Sequence, residues 1–527
     1  MFQENESVPD FTVSYNKATG EKLGSFKIDS ADTLVKTIEK ARIAQIEWEK
    51  VPLKKRADLI KNLSRIICER CDEIAQTISK DNGKTRVDAI VTEILPTAMS
   101  ASYYAKKAKK FLKTRYLKPG SILLSNKISQ IKKVPFGVVG IISPWNYPFA
   151  IPFSEVVMAL LAGNTVILKT AGETQLVGNI LKEVFESAGF PENVFNYVNV
   201  EGKVAGDTLL ENKIDKLFFT GSVPVGKYLM SKASQTLTPV SLELGGNDAA
   251  LVCKDADIKR TADGIIWAGF QNAGQSCGGV ERVYVDEDIY DDFLEVLKLK
   301  VENLRVGYDE NFNVDIGVLT TGRQVETVKR HIDDALSKGA VIYAKSNCED
   351  ENKWNNLLCP CVLTNVSHDM VVMKEETFGP VIGVMKVKDM DEAIIYANDS
   401  NLGLTASVWS GNRKNAKKIA AQIKAGAVTI NDHLMSHGLA ETPWGGFKES
   451  GIGRTHGEIG FAEMTEPQVI VNDIMPFVKR NMWWHPHSKK VYSGIKGILE
   501  LLYGKGIKKR ISGLYKMILL FPRTFIR

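Results

Sequence analysis

At 527 residues the chain exceeds what one simple core holds, which predicts two or more domains, each with a large apolar interior. Hydrophobic residues make up 44% and charged residues 25%, which excludes a disordered or fibrous chain. The net charge of +6 is uneven: from Ile474 to Arg527 twelve Lys and Arg face one acid, Glu500, leaving +11 there and −5 on the preceding body.

In chain order, the opening "MFQENESVPDFTV" has neither a basic nor an apolar leader segment, so no secretory signal is expected. The first hundred residues read helical: "ADTLVKTIEKARIAQIEWEK" and "KRADLIKNLSRIICERCDEIAQTISK" repeat apolar residues at three- and four-residue spacing. "SILLSNKISQIKKV", near residue 121, alternates roughly and predicts a hairpin standing off the body. Val134 to Ser154 lacks formal charge, but four prolines and two glycines interrupt it, so it reads as buried strand and loop, not as a membrane span. From there short β-branched runs (VVGII, TVILK, KLFFTG, AALVC) alternate with helical stretches, and a second such series follows Cys277. That alternation is the pattern of α/β domains built on parallel sheets.

Seven cysteines (68, 71, 253, 277, 348, 359 and 361) form no regular framework, and their odd number argues for a reduced, cytoplasmic setting. Cys68 and Cys71 have no second pair, and Cys359-Pro-Cys361 and His485-Pro-His487 lack partners at ligand spacing, so no metal is expected.

Four short stretches could carry chemistry, and each has a plain structural reading beside it. "ISPWNYPFAIP" holds Asn146 between two prolines, either as an oxyanion donor or as the cap of a turn. In "FFTGSVPVGK" a strand runs into a glycine turn and a helix start, where backbone N–H groups could meet a phosphate or make an ordinary connection. "LELGGND" places Glu243 among apolar residues and glycines, as a desolvated base or a turn cap. "QNAGQSCGGVERVYV" surrounds Cys277 with glycines, which leaves room for substrate and offers N–H donors; otherwise Cys277 is a buried small residue.

Together with "EETFGP" at 375–380 and "PWGGFKESGIGR" at 443–454, these stretches resemble the aldehyde dehydrogenase superfamily over nearly all of residues 10–473. The resemblance implies a Rossmann-type cofactor domain (1–115 and 136–245), an α/β catalytic domain (246–445) and a small β hairpin with a partner strand for oligomerisation (116–135 and 461–473). It implies Cys277 as nucleophile, Asn146 with the Cys277 N–H as oxyanion site, and Glu243 as the group that activates water to hydrolyse a thioester. For the cofactor it implies Gly221, Ser222 and Gly226 at the pyrophosphate and Lys169 at the adenosine ribose. Glu376 falls at the nicotinamide ribose, with Phe378 beside the ring and Trp145 in the same set. NAD is the first expectation. NADP stays open, because the acidic residue the family places three after the lysine is Gly172 here, with Glu173 next to it.

The implied enzyme oxidises an aldehyde to a carboxylic acid as a homodimer or homotetramer. Ser276 and Gly278, both small, leave space for a bulky chain and suggest a long or apolar aldehyde. A semialdehyde dehydrogenase and a cofactor-independent thiol esterase or acyl transferase are the alternatives. Residues 474–527 form a basic amphipathic tail beyond the usual family end, with Ile507, Ile511, Leu514, Tyr515 and Ile518 on one helical face. Such a face fits either a membrane surface, making the protein peripheral on the cytoplasmic side, or a neighbouring subunit. No nucleic-acid partner is expected, since no binding module accompanies the charge.

Overall fold

A computed structural model describes residues 10–348, 350 and 352–526; the first nine residues, on which the reading of the leader partly rests, lie outside the described residues. Two compact units result, residues 1–112 with 134–466 and residues 113–133 with 467–527.

The larger unit holds two α/β sheets. One has six strands in the order Gly451–Ile452, Val240–Glu243, Lys216–Thr220, Val138–Ile142, Thr165–Lys169 and Phe195–Val198, parallel except for the first. Its central strands are buried along their whole length, as continuous β-branched runs demand when helices cover both faces. The other has seven strands, with Val280–Asp286 and Asp248–Val252 near its middle and antiparallel pairing only at the Val341–Lys345 edge. The parallel order sends the strand ends Ile142, Lys169, Thr220 and Glu243 to one edge of the six-stranded sheet, where α/β folds bind ligands.

The helical reading of the first hundred residues holds from Ala31 but misses an antiparallel hairpin, Phe11–Tyr15 with Lys22–Lys27, turned at Gly20 with φ of 76°. The long helical stretch near 55–80 is two helices, Leu53–Glu69 and Cys71–Asn82, divided at Arg70. Ala150–Ser154, expected as loop, opens the fully buried helix Ala150–Ala162. Pro152 fits there because the first turn of a helix needs no N–H partners within the helix. Cys348 and Cys359 are joined by a disulfide with Cα atoms 6.4 Å apart, so two of the thiols expected to be free are paired.

In the smaller unit Lys127–Pro135 lies between Arg115–Leu117 and Thr465–Asp473 in a three-stranded sheet. The "SILL" residues expected in the hairpin form a 3-10 turn, Ile122–Leu124, instead of strand, and residues 461–463 close a helix before the last strand begins. Helices Lys489–Tyr503 and Ile507–Leu520 follow, then a 3-10 turn Phe521–Phe525, and among the described residues no helix is long and apolar enough to cross a membrane.

Candidate active site

Helix Ile258–Phe270 runs into a turn at Gln271–Gly274, then Cys277, then strand Val280–Asp286. Asn272, Ala273 and Gly274 all take positive φ, at 52°, 53° and 73°. Left-handed backbone costs about 1–3 kcal/mol at a non-glycine residue, so something must hold this turn. Asp88 accepts the Asn272 N–H at 3.0 Å, and the Asn272 amide donates to the carbonyls of Asn146 (2.9 Å) and Gln275 (3.1 Å). A Cβ on Gly274 would stand 2.2 Å from the Gly379 carbonyl, so this glycine is required by backbone approach. Cys277 itself is half-buried. Burial, then the carboxylates of Glu376, Glu243 and Asp248, push its thiol up, opposed by the Gly278 N–H.

Asn146 sits in the turn after strand Val138–Ile142, and a fully buried ion pair fixes that turn. Lys84 and Glu93 meet at 2.8 Å; the Lys84 ammonium donates to the Asn146 carbonyl at 2.9 Å, while Glu93 accepts the N–H groups of Phe149 (2.7 Å) and Ala150 (3.1 Å). A carboxylate at a helix N-terminus answers the orphan donors and the dipole together. One N–H of the Asn146 side chain goes to the Gln275 carbonyl at 3.2 Å.

Glu243 ends its strand with its carboxyl against the 443–446 segment, where a Cβ on Gly445 would stand 2.8 Å from Oε1. The paired glycines that follow Leu244 are spacers for two other chain segments. A Cβ on Gly245 would lie 2.2 Å from Glu376 Oε2, and one on Gly246 would lie 2.3 Å from the Cys277 carbonyl. Burial, then the neighbouring Glu155, raises Glu243 well above the usual carboxylate range, against Arg454 and Trp444. Burial likewise pushes Glu155 up to about 8.

A cavity of about 260 Å³ brings together Trp145, Asn146, Gly221, Ser222, Glu243, Cys277, Glu376 and Phe378. Glu376 accepts the Gly246 N–H at 3.1 Å, and the Phe378 ring meets Trp145 edge to face with centroids 5.5 Å apart. Helix Val223–Ala233 starts beside this cavity with no side chain capping it, which leaves backbone donors free for an anion. Lys169 and Gly226 do not line the cavity. Lys169 ends a neighbouring strand, where burial lowers its pKa against the pull of Glu173 and Glu201. Gly226 is a packing position, since a Cβ there would be 2.7 Å from Leu244.

A second cavity of about 240 Å³ is also lined by Cys277. Val91, Leu95, Met99, Trp267, Leu434 and Leu439 dominate its wall, and the described lining includes no Lys, Arg, Asp or Glu. His437 is the one imidazole in the described lining, and burial pushes it down to about 4, so it is neutral at pH 7. Gly278 opens less room here than its size implies: a Cβ would stand 2.9 Å from Trp444 and 3.2 Å from Leu434.

Sequence reasoning missed Asp88, the Lys84–Glu93 pair and Glu281. The Glu281 carboxylate, nearly buried, accepts the N–H groups of Thr377 (2.9 Å) and Phe378 (2.8 Å) and the Asn247 amide (2.7 Å), and so holds the turn that carries Glu376. A charged residue inside an apolar strand run, "GGVERVYV", was the available signal. Among the described residues no group of three His, Cys, Asp or Glu is placed to hold a metal ion.

The sequence profile of the aldehyde dehydrogenase family matches residues 2–470. A Methylomonas protein named 4,4'-diapolycopene aldehyde oxidase is 36% identical over 486 residues, 92% of this chain and 90% of its own. A Mycolicibacterium smegmatis protein, provisionally named an NADP(+) succinate-semialdehyde dehydrogenase, is 35% identical over 86% of this chain and 87% of its own. Among solved structures, an aldehyde dehydrogenase from Bacillus cereus in complex with NAD+ superposes with a TM-score of 0.83 at 32% identity, covering 88% of this chain and 94% of that one.

Proposed function

Because the chain belongs to the aldehyde dehydrogenase family, a family of oxidoreductases, we propose that it oxidises extended apolar aldehydes to carboxylic acids with NAD(P)+, using Cys277 as nucleophile. One observation carries this reading: Cys277 lines both the polar cavity at the sheet edge and the uncharged apolar chamber. An aldehyde carbon at Cys277 can then have its hydrocarbon tail in one and a redox partner in the other.

The polar cavity suits a dinucleotide. Uncapped N–H groups at Ser222–Val223 fit a pyrophosphate, Glu376 a ribose hydroxyl, and Phe378 with Trp145 an aromatic ring. When bound, NAD(P)+ supplies the hydride acceptor. Glu173 and Glu201 flank Lys169, and two carboxylates beside a 2′-phosphate would repel it, which favours NAD even with Gly172 in place of an acid.

The chain's own residues supply the rest. Cys277 Sγ gives up its proton to solvent and, as thiolate, bonds to the aldehyde carbon, and the resulting alkoxide takes N–H donors from the Asn146 side chain and the Cys277 backbone. Once the C–H hydride has left, the acyl group remains on Sγ as a thioester. Glu243, a carboxyl whose pKa burial raises, removes a proton from the water that attacks this thioester, releasing the acid and the free thiol.

The apolar wall also separates the substrate classes. A succinic semialdehyde carboxylate would enter a chamber with no cation to meet it, at a cost of several kcal/mol by the usual price of burying an unpaired charge. The relative named 4,4'-diapolycopene aldehyde oxidase fits this reading better than those named for semialdehydes. Assembly into a homo-oligomer is proposed through strand Thr465–Asp473, an exposed sheet edge with Val469 and Val471 uncovered.

A panel of decanal, acetaldehyde and succinic semialdehyde with NAD+ and NADP+, followed by reduced-nicotinamide absorbance with Cys277→Ala as control, tests the proposal. Decanal is expected to have the highest kcat/KM. A preference for succinic semialdehyde would sink the substrate class, and ester turnover with no cofactor reduced from any aldehyde would sink the dehydrogenase reading.

A further inference from the structure

The two C-terminal helices are packed inside out relative to an ordinary docked hairpin. They touch through glycines: a Cβ on Gly497 would be 2.7 Å from the Gly513 carbonyl, and one on Gly513 would be 2.5 Å from the Gly497 carbonyl. Few large side chains are therefore needed inside, and Met482, Val491, Ile498 and Leu520 make up the small buried core. The apolar face read from the sequence of the last helix points outward. Tyr492, Tyr503, Ile507, Ile511, Tyr515 and Ile518 are all exposed, Tyr503 at 77% and Ile507 at 75%. An amphipathic helix normally buries that stripe, so an apolar medium is what would cover it.

Charge selects the medium. Lys505, Lys508, Lys509 and Arg510 are exposed at the turn between the helices, and the one acid of the segment, Glu500, is already neutralised by Lys516 at 2.6 Å. A second copy of this hairpin, eight Lys and Arg against one acid between Lys489 and Leu520, would bring the same excess of +7 against it, whereas an anionic bilayer brings the opposite sign. Tyrosines placed among the aliphatic side chains suit the polar boundary of a bilayer, with rings in the apolar layer and hydroxyls in water. Helices of 15 and 14 residues are too short to span. We propose that the Lys489–Leu520 helical hairpin lies in the surface of an anionic membrane, its aliphatic and tyrosine face among the acyl chains and its lysines at the headgroups. This inference stands independently of the aldehyde chemistry.

Full-length protein sedimented with vesicles of phosphatidylcholine alone, or with about three-tenths phosphatidylglycerol, tests it. Binding is expected on the anionic vesicles, much weaker on phosphatidylcholine, and reversed by high salt. Lys505→Gln/Lys508→Gln/Lys509→Gln should weaken it about a hundredfold, at about fivefold per basic residue near the lipid. Ile511→Asn/Ile518→Asn should weaken it more than tenfold, with turnover of a short soluble aldehyde unchanged as the check on folding. The lysine variant leaves the apolar packing untouched and keeps the test decisive should the isoleucine variant misfold. Protein that stays in the supernatant with anionic vesicles, or an isoleucine variant that binds as tightly as wild type, overturns the proposal. So does a loss of subunits by light scattering in that variant, which would show that a second copy covers the face.

Discussion

Glu281→Leu separates cofactor binding from nucleophile chemistry. The Glu281 carboxylate receives three donors, the Thr377 and Phe378 N–H groups and the Asn247 amide, at 2.7–2.9 Å. Two of them hold a turn in which Phe378 has φ of 53°, a conformation worth about 1–3 kcal/mol of strain. Leucine leaves the three donors without an acceptor, at about 1–3 kcal/mol each, less what is regained by removing a buried carboxylate that burial has pushed to about 7. The net loss of stability should be about 3–5 kcal/mol. The turn also carries Glu376, so the KM for NAD+ should rise about tenfold or more, a shift of about 1.4 kcal/mol or more. The thioester and ester chemistry proposed for Cys277 would depend on the 272–277 turn, which Asp88 and Asn146 hold separately. Stopped-flow reduction of NAD+ and cofactor-free hydrolysis of a nitrophenyl ester, measured on the same preparation, make the comparison. An unchanged KM for NAD+ beside a lowered melting temperature, or equal losses in both assays, would refute the reasoning.

Glu155 should make stability fall as pH rises. Burial raises its pKa from 4.5 to about 8, so the native state holds a proton that the unfolded chain releases; the resulting stabilisation is complete below 4.5 and is lost as pH climbs through 8. Glu155→Gln should flatten the melting temperature profile between those limits and be relatively more stable at pH 8, as calorimetry across that range would show. At the apolar chamber, Leu95→Lys/Met99→Lys adds cations to two half-exposed wall positions. Competitive turnover should show decanal kcat/KM falling about tenfold or more and succinic semialdehyde gaining on it; an unchanged ratio would place the substrate elsewhere.

Residues proposed to act through a contiguous stretch were legible in the sequence. Cys277, Glu243, Asn146 and the Gly221–Ser222 turn each sit beside glycines or prolines that mark a backbone required to turn or to approach another segment, and all five line one cavity. The support for that cavity was not legible, because it converges from afar: Lys84 and Glu93 hold a turn some sixty residues on, and Asp88 holds one at 272. Nothing local to positions 84–93 encodes that meeting. The N-terminal hairpin escaped notice because its strands have only five and six residues, too few for an alternating pattern to stand out. In the tail the apolar stripe was correctly located. The glycines at 494, 497 and 513, which let the helices pack on their opposite faces, were the unread sign that the stripe would remain outside.

The proposed acyl bond to Cys277 is the point on which the mechanism turns. Glu243→Gln protein mixed with decanal and NAD+, quenched in acid and weighed intact, should carry one added decanoyl group, located by peptide mapping to the segment containing Cys277 and absent when Cys277→Ala is introduced as well. Reduced cofactor formed with no acyl group on the protein, or an acyl group found at a different residue, would contradict the account.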